Sequence, residues 1–191
     1  MNPGKVIILS GPSGAGKGTI ARHLLSREPR LSFSVSATSR APRGDEQEGR
    51  EYYFLTAGEF RRRADAGEFL EWEEVYDGLF YGTPRAEVER LWDRDRVALF
   101  DVDVVGGMNI KQVFGDDALA IFIRPPSLEV LRKRLVARGT DSPERVEQRL
   151  ARAGRELAFV PRFDVAIVND RLDDALARAE RLVRDFLRDD A

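Results

Sequence analysis

Four short apolar runs recur along the chain: Val6-Ile7-Ile8-Leu9, Val97-Ala98-Leu99-Phe100, Ala118 to Ile123, and Val165-Ala166-Ile167-Val168. Each is strand-sized with little polar alternation, the pattern of strands buried on both faces of a parallel sheet. Between them the apolar positions take helical spacing. Lys17 to about Arg27 reads as a helix with Ile20, Leu24 and Leu25 inward. Ser127 to Arg138 reads as another, with Leu128, Leu131 and Leu135 on one face and Gly139 as its C-cap. Ser142-Pro143 opens a helix reaching about Val160. A last helix, about Asp173 to Arg188, buries Leu176, Ala179, Leu182, Val183, Phe186 and Leu187. Strands and helices alternating in this way predict an α/β fold, a parallel-sheet core with helices on both faces.

Residues 34–94 break that rhythm. Phe33-Ser34-Val35-Ser36 alternates like a half-buried strand, Glu51 to Leu55 and Phe69 to Tyr76 read as extended, and Gly78 to Gly82 as a turn with a short strand. Thr56-Ala57-Gly58-Glu59 is a capping box that starts a helix near Ala57, and Gly67 ends it. Thr83-Pro84 reads as an N-cap followed by proline at the first helical position, for a helix over roughly Pro84 to Asp93. The expected organisation is a core of 1–33, 95–124 and 156–191. A mixed α/β segment, 34–94, is inserted into it, and 125–155 form a helical lid with its supporting helix, in one compact unit.

Composition narrows the class. The 191 residues allow one sizeable core, and 42% apolar with 34% charged residues describe a soluble globular chain. The absence of cysteine fits a reducing cytoplasm. Neither a signal-peptide layout nor a membrane-length apolar stretch is visible, so no membrane association is expected. A net charge of −2 argues against a general nucleic-acid binder. Residues 124–155 nevertheless hold nine Lys/Arg against four Asp/Glu, which suits a small polyanionic ligand. His23, the only histidine, is expected to be an exposed residue of the first helix.

The chemistry concentrates behind the first apolar run, in Gly11-Pro12-Ser13-Gly14-Ala15-Gly16-Lys17-Gly18-Thr19. Strand, glycine-rich turn and helix make the context of a phosphate-binding P-loop. The glycines let backbone N–H groups converge on phosphate oxygens, the helix N-terminus adds partial positive charge, and Lys17 reaches the outer phosphates. One departure is that Gly18 stands where the pattern has a hydroxyl; Thr19 supplies one a residue later. Arg40 and Arg43, with Pro42 between them, fit a turn that aims two guanidinium forks at one anion. Asp101 and Asp103 end the second apolar run, where open α/β sheets place ligands. Arg138 and Arg149 flank the Gly139 corner of a mobile, Arg-rich lid.

Taken together, these pieces strongly resemble guanylate kinase. The likeness rests on the P-loop, Val35-Ser36-Ala37-Thr38-Ser39-Arg40-Ala41-Pro42-Arg43, Gly49-Arg50-Glu51-Tyr52-Tyr53-Phe54, Phe69-Leu70-Glu71-Trp72, Tyr81-Gly82-Thr83, Asp101-Val102-Asp103, Arg138-Gly139-Thr140 and Ile167-Val168-Asn169-Asp170. The resemblance implies a P-loop nucleoside monophosphate kinase fold and transfer of the ATP γ-phosphate to GMP with Mg²⁺. It implies that Ser36, Arg40, Arg43, Tyr52 and Tyr81 hold the GMP phosphate and that Glu71, Thr83 and Asp103 read guanine. Asp101 then organises magnesium through water. Lys17, Arg138 and Arg149 neutralise the transferring phosphoryl group, and Asn169 lies near the ATP base. The departures are Gly18, Ser39 where threonine is common, Val105 where glutamine is common, and one extra residue between Glu73 and Gly78. Two alternatives differ in class: a non-catalytic binding module of this fold, and a P-loop kinase for another phosphorylated acceptor. Monomer and homo-oligomer both stay open.

Overall fold

A computed structural model describes residues 4–137, 139 and 142–188. Strand β1 (Val6–Ser10) is buried along its whole length. Its side chains alternate: Ile7 and Leu9 enter one core cluster, Val6 and Ile8 the opposite one. The P-loop follows, then α1 (Lys17–Arg27) and β2 (Leu31–Phe33). The chain next builds β3 (Ala37–Thr38), β4 (Tyr53–Phe54), α2 (Ala57–Asp65), β5 (Phe69–Tyr76), β6 (Leu79–Pro84) and α3 (Arg85–Trp92). It returns through β7 (Val97–Asp101), α4 (Val104–Phe114), β8 (Ala118–Arg124), α5 (Leu128–Ala137), α6 (Pro143–Leu157), β9 (Val165–Val168) and α7 (Leu172–Arg188).

Two sheets result. The first is parallel throughout, in the order β2-β7-β1-β8-β9. Helices α1 and α7 cover one face, where Ile20, Leu24, Ala179 and Val183 are buried. On the other face lie α3 and α4, through Val88, Leu91, Val104 and Ile110. This is the expected P-loop α/β core. The second sheet, β4-β3-β6-β5, is mixed and carries α2 on it. There Phe60 stacks between Phe69 and Phe80, with ring centroids 4.4 and 5.3 Å away. Helices α5 and α6 pack on each other through Leu131, Leu135, Val146 and Leu150.

Several local expectations are corrected. The strand expected at 33–36 lies at Leu31–Phe33, because the chain must cross from one sheet to the other. Ser34 N–H still donates to Leu99 O at 3.0 Å, and then Val35 N–H donates to the buried Glu87 carboxylate at 3.2 Å. Of the expected Glu51–Leu55 strand only Tyr53–Phe54 forms a strand, with Tyr52 in a single bridge to Glu48. Thr83 belongs to β6 rather than capping a helix, and Pro84 takes the N-cap position of α3. The capping box of α2 is one-sided: Thr56 accepts from Glu59 N–H, while the Glu59 carboxylate turns to Arg62 and Arg63. Leu128 is 42% exposed; the buried α5 side of the contact with α6 is Leu131 and Leu135, and Arg132 pairs with Glu147 beside them. Helix α6 stops at Leu157 and a 3₁₀ turn covers Val160–Arg162. His23 is half-buried and its Nε2 lies 3.3 Å from Glu180 of α7.

The last core strand also braces the phosphate loop. Beyond β9, the buried Asn169 donates from Nδ2 to Ala15 O at 2.8 Å, and its own carbonyl accepts from Arg134. Asn169→Ala leaves the buried Ala15 carbonyl unpaired. A loss of about 1–3 kcal/mol is expected. It would read as a lower urea midpoint at unchanged slope, and an unaltered midpoint would show that the bond carries no stability.

Candidate active site

The P-loop takes its shape from backbone that side chains tolerate poorly. Gly16 adopts φ 102°, and a Cβ there would sit 2.2 Å from Asn169 Nδ2, so no other residue fits. Helix α1 starts directly after it, with Ile20 N–H donating to Gly16 O. Lys17 Nζ donates to Gly11 O at 2.7 Å and stands 3.9 Å from Asp101 Oδ1. Burial pushes the Asp101 carboxyl up, while Lys17 and Arg22 pull it down. A Cβ at Gly18 would lie in ordinary contact with Asp101 Oδ2 at 3.7 Å and Arg22 at 3.8 Å, so the absence of a hydroxyl there is not forced by crowding. The Thr19 hydroxyl accepts from Arg22 at 3.4 Å.

A cavity of about 520 Å³ opens above the loop. Gly11, Ser13, Lys17, Arg43, Tyr81, Asp101, Asp103 and Arg149 all line it. Arg149 reaches the P-loop from α6, donating to Ser13 Oγ at 2.7 Å. Arg40 is set differently from Arg43. Its fork grips Glu46 at 2.6 and 2.7 Å, its Nε donates to the Tyr81 hydroxyl at 3.2 Å, and it lies 4.9 Å over the Tyr52 ring. Glu46 also accepts from Arg43 N–H, and Arg40 first of all holds its carboxyl down at about 2. An internal carboxylate therefore occupies the fork that the sequence reading assigns to phosphate. Arg138 lies outside the described residues.

A second cavity, about 230 Å³, adjoins the first and shares Tyr81, Asp101, Val102 and Asp103 with it. Ser36, Tyr52, Glu71, Glu73, Gly82 and Gly106 complete its wall. Glu71 accepts from the Thr83 hydroxyl at 2.7 Å, so Thr83 is spent on orienting Glu71 and lines neither cavity. Burial raises the Glu71 carboxyl to about 6, against the Thr83 bond and with help from the nearby Asp103 charge. Asp103 caps α4 through Gly106 N–H at 2.8 Å and accepts from Arg152 at 3.1 Å. A Cβ on Gly106 would meet Glu71 Oε2 at 3.1 Å, so the glycine lets the helix end close on the carboxylate. Burial and then Asp103 push the Glu73 carboxyl up to about 7.

A phosphate-binding loop thus lines one cavity that adjoins an acidic pocket of about 230 Å³. The family model described as Guanylate kinase matches residues 3–186. This chain belongs to the guanylate kinase family. It is 53% identical over 183 residues to a guanylate kinase of Bacteroides fragilis, covering 96% of this chain and 90% of that one. To a guanylate kinase of Porphyromonas gingivalis it is 53% identical over 184 residues, covering 96% and 98%. The crystal structure of guanylate kinase from Anaplasma phagocytophilum superposes with a TM-score of 0.75 at 33% identity, covering 96% of this chain and 86% of that one.

Within this guanylate kinase fold the sequence reading overlooked a row of residues. Arg145, Gln148, Arg152 and Glu156 line the large cavity with Arg149, although the sequence reading singles out Arg149 alone as a site residue of this helix. Their spacing, with successive gaps of three, one, three and four residues, is one stripe of a helix and was legible. Glu46 and Glu73 carried no such signal, because only the turn and the sheet pairing decide what they face.

The raised Glu71 carboxyl has a measurable cost. Its ionised form is disfavoured in the fold by a shift from 4.5 to about 6, or about 2 kcal/mol. That penalty is present above pH 6 and disappears as the pH falls toward the unfolded-state value. Glu71→Gln should therefore stabilise the ligand-free chain by up to about 2 kcal/mol at pH 8 and by almost nothing near pH 4.5. Denaturant melts at the two pH values check the difference, and an equal effect at both would remove ionisation as its cause.

Proposed function

We propose that this chain is an active, cytoplasmic guanylate kinase that transfers the γ-phosphoryl group of ATP to GMP, giving ADP and GDP. The observation that carries the reading is the continuity of the two cavities through Tyr81, Asp101, Val102 and Asp103. A donor phosphate on the P-loop and an acceptor held by its base then meet at one point. The non-catalytic module is not favoured, because Gly16 and Lys17 form an intact loop and the chain covers its catalytically named relatives almost end to end. Among the described residues no helix is long and apolar enough to cross a membrane.

Phosphoryl transfer needs two anions aligned and their charge neutralised, and little else. Lys17 faces the donor from α1, Arg149 approaches from α6, and Arg43 faces the same cavity from the inserted segment. Arg40 serves the acceptor phosphate once Glu46 yields its fork. The donor set beside Asp101 fits a hydrated magnesium ion: one partly exposed carboxylate that lines the cavity above the phosphate loop, with room there for phosphate oxygens and waters. Asp101 would hold that ion through water, and the ion when bound spreads the negative charge of the transferring phosphates. No side chain must act as a strong base, since the acceptor is already a phosphate oxygen.

Base choice follows from the acidic pocket. Guanine presents N1–H and N2–H₂ side by side, which one carboxylate accepts together. Adenine would set an unprotonated N1 against the Glu71 charge. A pocket built on buried polar groups rejects such a mismatch strongly. Asp103 at the N-cap of α4 and Glu73 from β5 line this pocket with Glu71, while Thr83 from β6 holds the Glu71 carboxylate and Arg152 from α6 pairs with Asp103.

Coupled ATP consumption with GMP, AMP, CMP, UMP and no acceptor tests the reading; turnover should need GMP, and none with any acceptor would overturn it. Lys17→Ala should keep the fold and lower kcat by at least about 100-fold, whereas a folded variant with normal kcat would exclude Lys17 from the reaction. In the free enzyme Glu71 must ionise to accept the guanine donors, so kcat/KM for GMP should fall as the pH drops from 7 through about 6. A flat profile between pH 5.5 and 8 would contradict a carboxylate with this shift as base reader.

A further inference from the structure

Glu73 follows Glu71 by two residues on β5, in unbroken register against Tyr81 and Thr83 of β6. Both carboxylates therefore leave the same face of the sheet. Trp72 points the other way, 46% exposed, with its ring edge toward Phe60 and Phe80. Glu73 lines the base pocket beside Glu71 and also lines a third cavity shared with Arg152, Arg155 and Glu156 of α6. It thus forms the partition between the base pocket and that helix.

Guanine brings three hydrogens to this wall: N1–H and both hydrogens of the 2-amino group. Glu71 alone can take N1–H and the nearer amino hydrogen as a parallel pair. The outer amino hydrogen needs another acceptor, and the sequence points to Asp103 for it. Both Asp103 oxygens already have partners, however. Oδ1 accepts from Gly106 N–H at 2.8 Å and Oδ2 from Arg152 at 3.1 Å. Glu73 and Asp103 line the base pocket and the third cavity together, and Arg152 attracts both. Two carboxyl groups brought together in this way are a poor arrangement for like charges and a good one for an inserted N–H donor.

We infer that Glu73 is a second base-reading residue, which accepts the outer hydrogen of the guanine 2-amino group and so separates 2-aminopurine acceptors from purines that lack that group. This rests on the reading of the chain as a GMP phosphotransferase. Recognition is then divided by position. Glu71 senses the N1–H that guanine and hypoxanthine share, and Glu73 senses the amino group that only guanine has.

IMP isolates the contact, because hypoxanthine keeps N1–H and O6 and has no 2-amino group. The full chain and its Glu73→Ala and Glu73→Gln variants are assayed with ATP and either GMP or IMP, alongside thermal melts. Glu73→Ala should lower kcat/KM for GMP by about tenfold or more, the size of a hydrogen bond to a charged group, and leave IMP unchanged, so the preference for GMP shrinks. Glu73→Gln keeps one acceptor oxygen and should lose less of the preference. An unchanged GMP-to-IMP ratio in either folded variant overturns the inference, as does an equal fall for both acceptors, which marks a structural role. Should the alanine variant not fold, the isosteric glutamine variant decides by the same ratio. A wild-type chain that turns over neither acceptor would overturn the parent reading instead, which keeps the two failures apart.

Discussion

The site is built outward from one strand register. Leu9 of β1 stands opposite Asp101 of β7, at the carboxyl ends of two neighbouring parallel strands. That pairing sets the Asp101 carboxylate 3.9 Å from Lys17, across the mouth of the P-loop. A slip of one residue would turn Asp101 to the opposite face of the sheet and leave Lys17 facing an apolar side chain. Two residues on, Asp103 caps α4, and the first turn of α4 brings Gly106 against Glu71. The phosphate loop and the base pocket are thus held at a fixed separation by six residues of continuous chain, Asp101 to Gly106.

Charge is distributed so that the site tolerates its own cations. Arg40 is held by Glu46, Arg149 by Ser13, and Arg152 by Asp103 and Glu156. These partners are weakly buried and exchangeable, unlike the apolar contacts that fix the strands. The acidic pocket pays the opposite cost. Glu71 and Glu73 sit where burial disfavours their charge, and among the described residues no arginine acts to restore it at Glu71. Such locally unfavourable placement is characteristic of sites whose missing partner is a ligand. The donors of a guanine edge are of the type that would satisfy both carboxylates.

The family relationship also gives Gly18 a physical setting. A side chain there would be in ordinary contact with Asp101 and Arg22, so the position could hold a hydroxyl and does not. Water beside Asp101 can ligate a hard cation as a hydroxyl does.

What the sequence determined by itself was whatever rests on neighbours along the chain. The β1 run and the glycines of the P-loop were legible because continuous burial and positive φ leave their mark on adjacent residues. The extents of α1 and β9 were legible from the spacing and run of their apolar residues, although only Ile167 of β9 is buried. Glu71 was legible only through a motif. The tertiary structure alone decided the crossing between sheets at Ser34 and Val35, which depends on Glu87 from a helix fifty-two residues later. It alone gave the Thr83 hydroxyl to Glu71, the Arg40 fork to Glu46, and His23 to Glu180. The convergence of Glu73, Asp103 and Arg152 was likewise invisible, since β5, α4 and α6 have no local signal of one another. Polar side chains choose partners by proximity in space, and that proximity exists only once the apolar runs have packed.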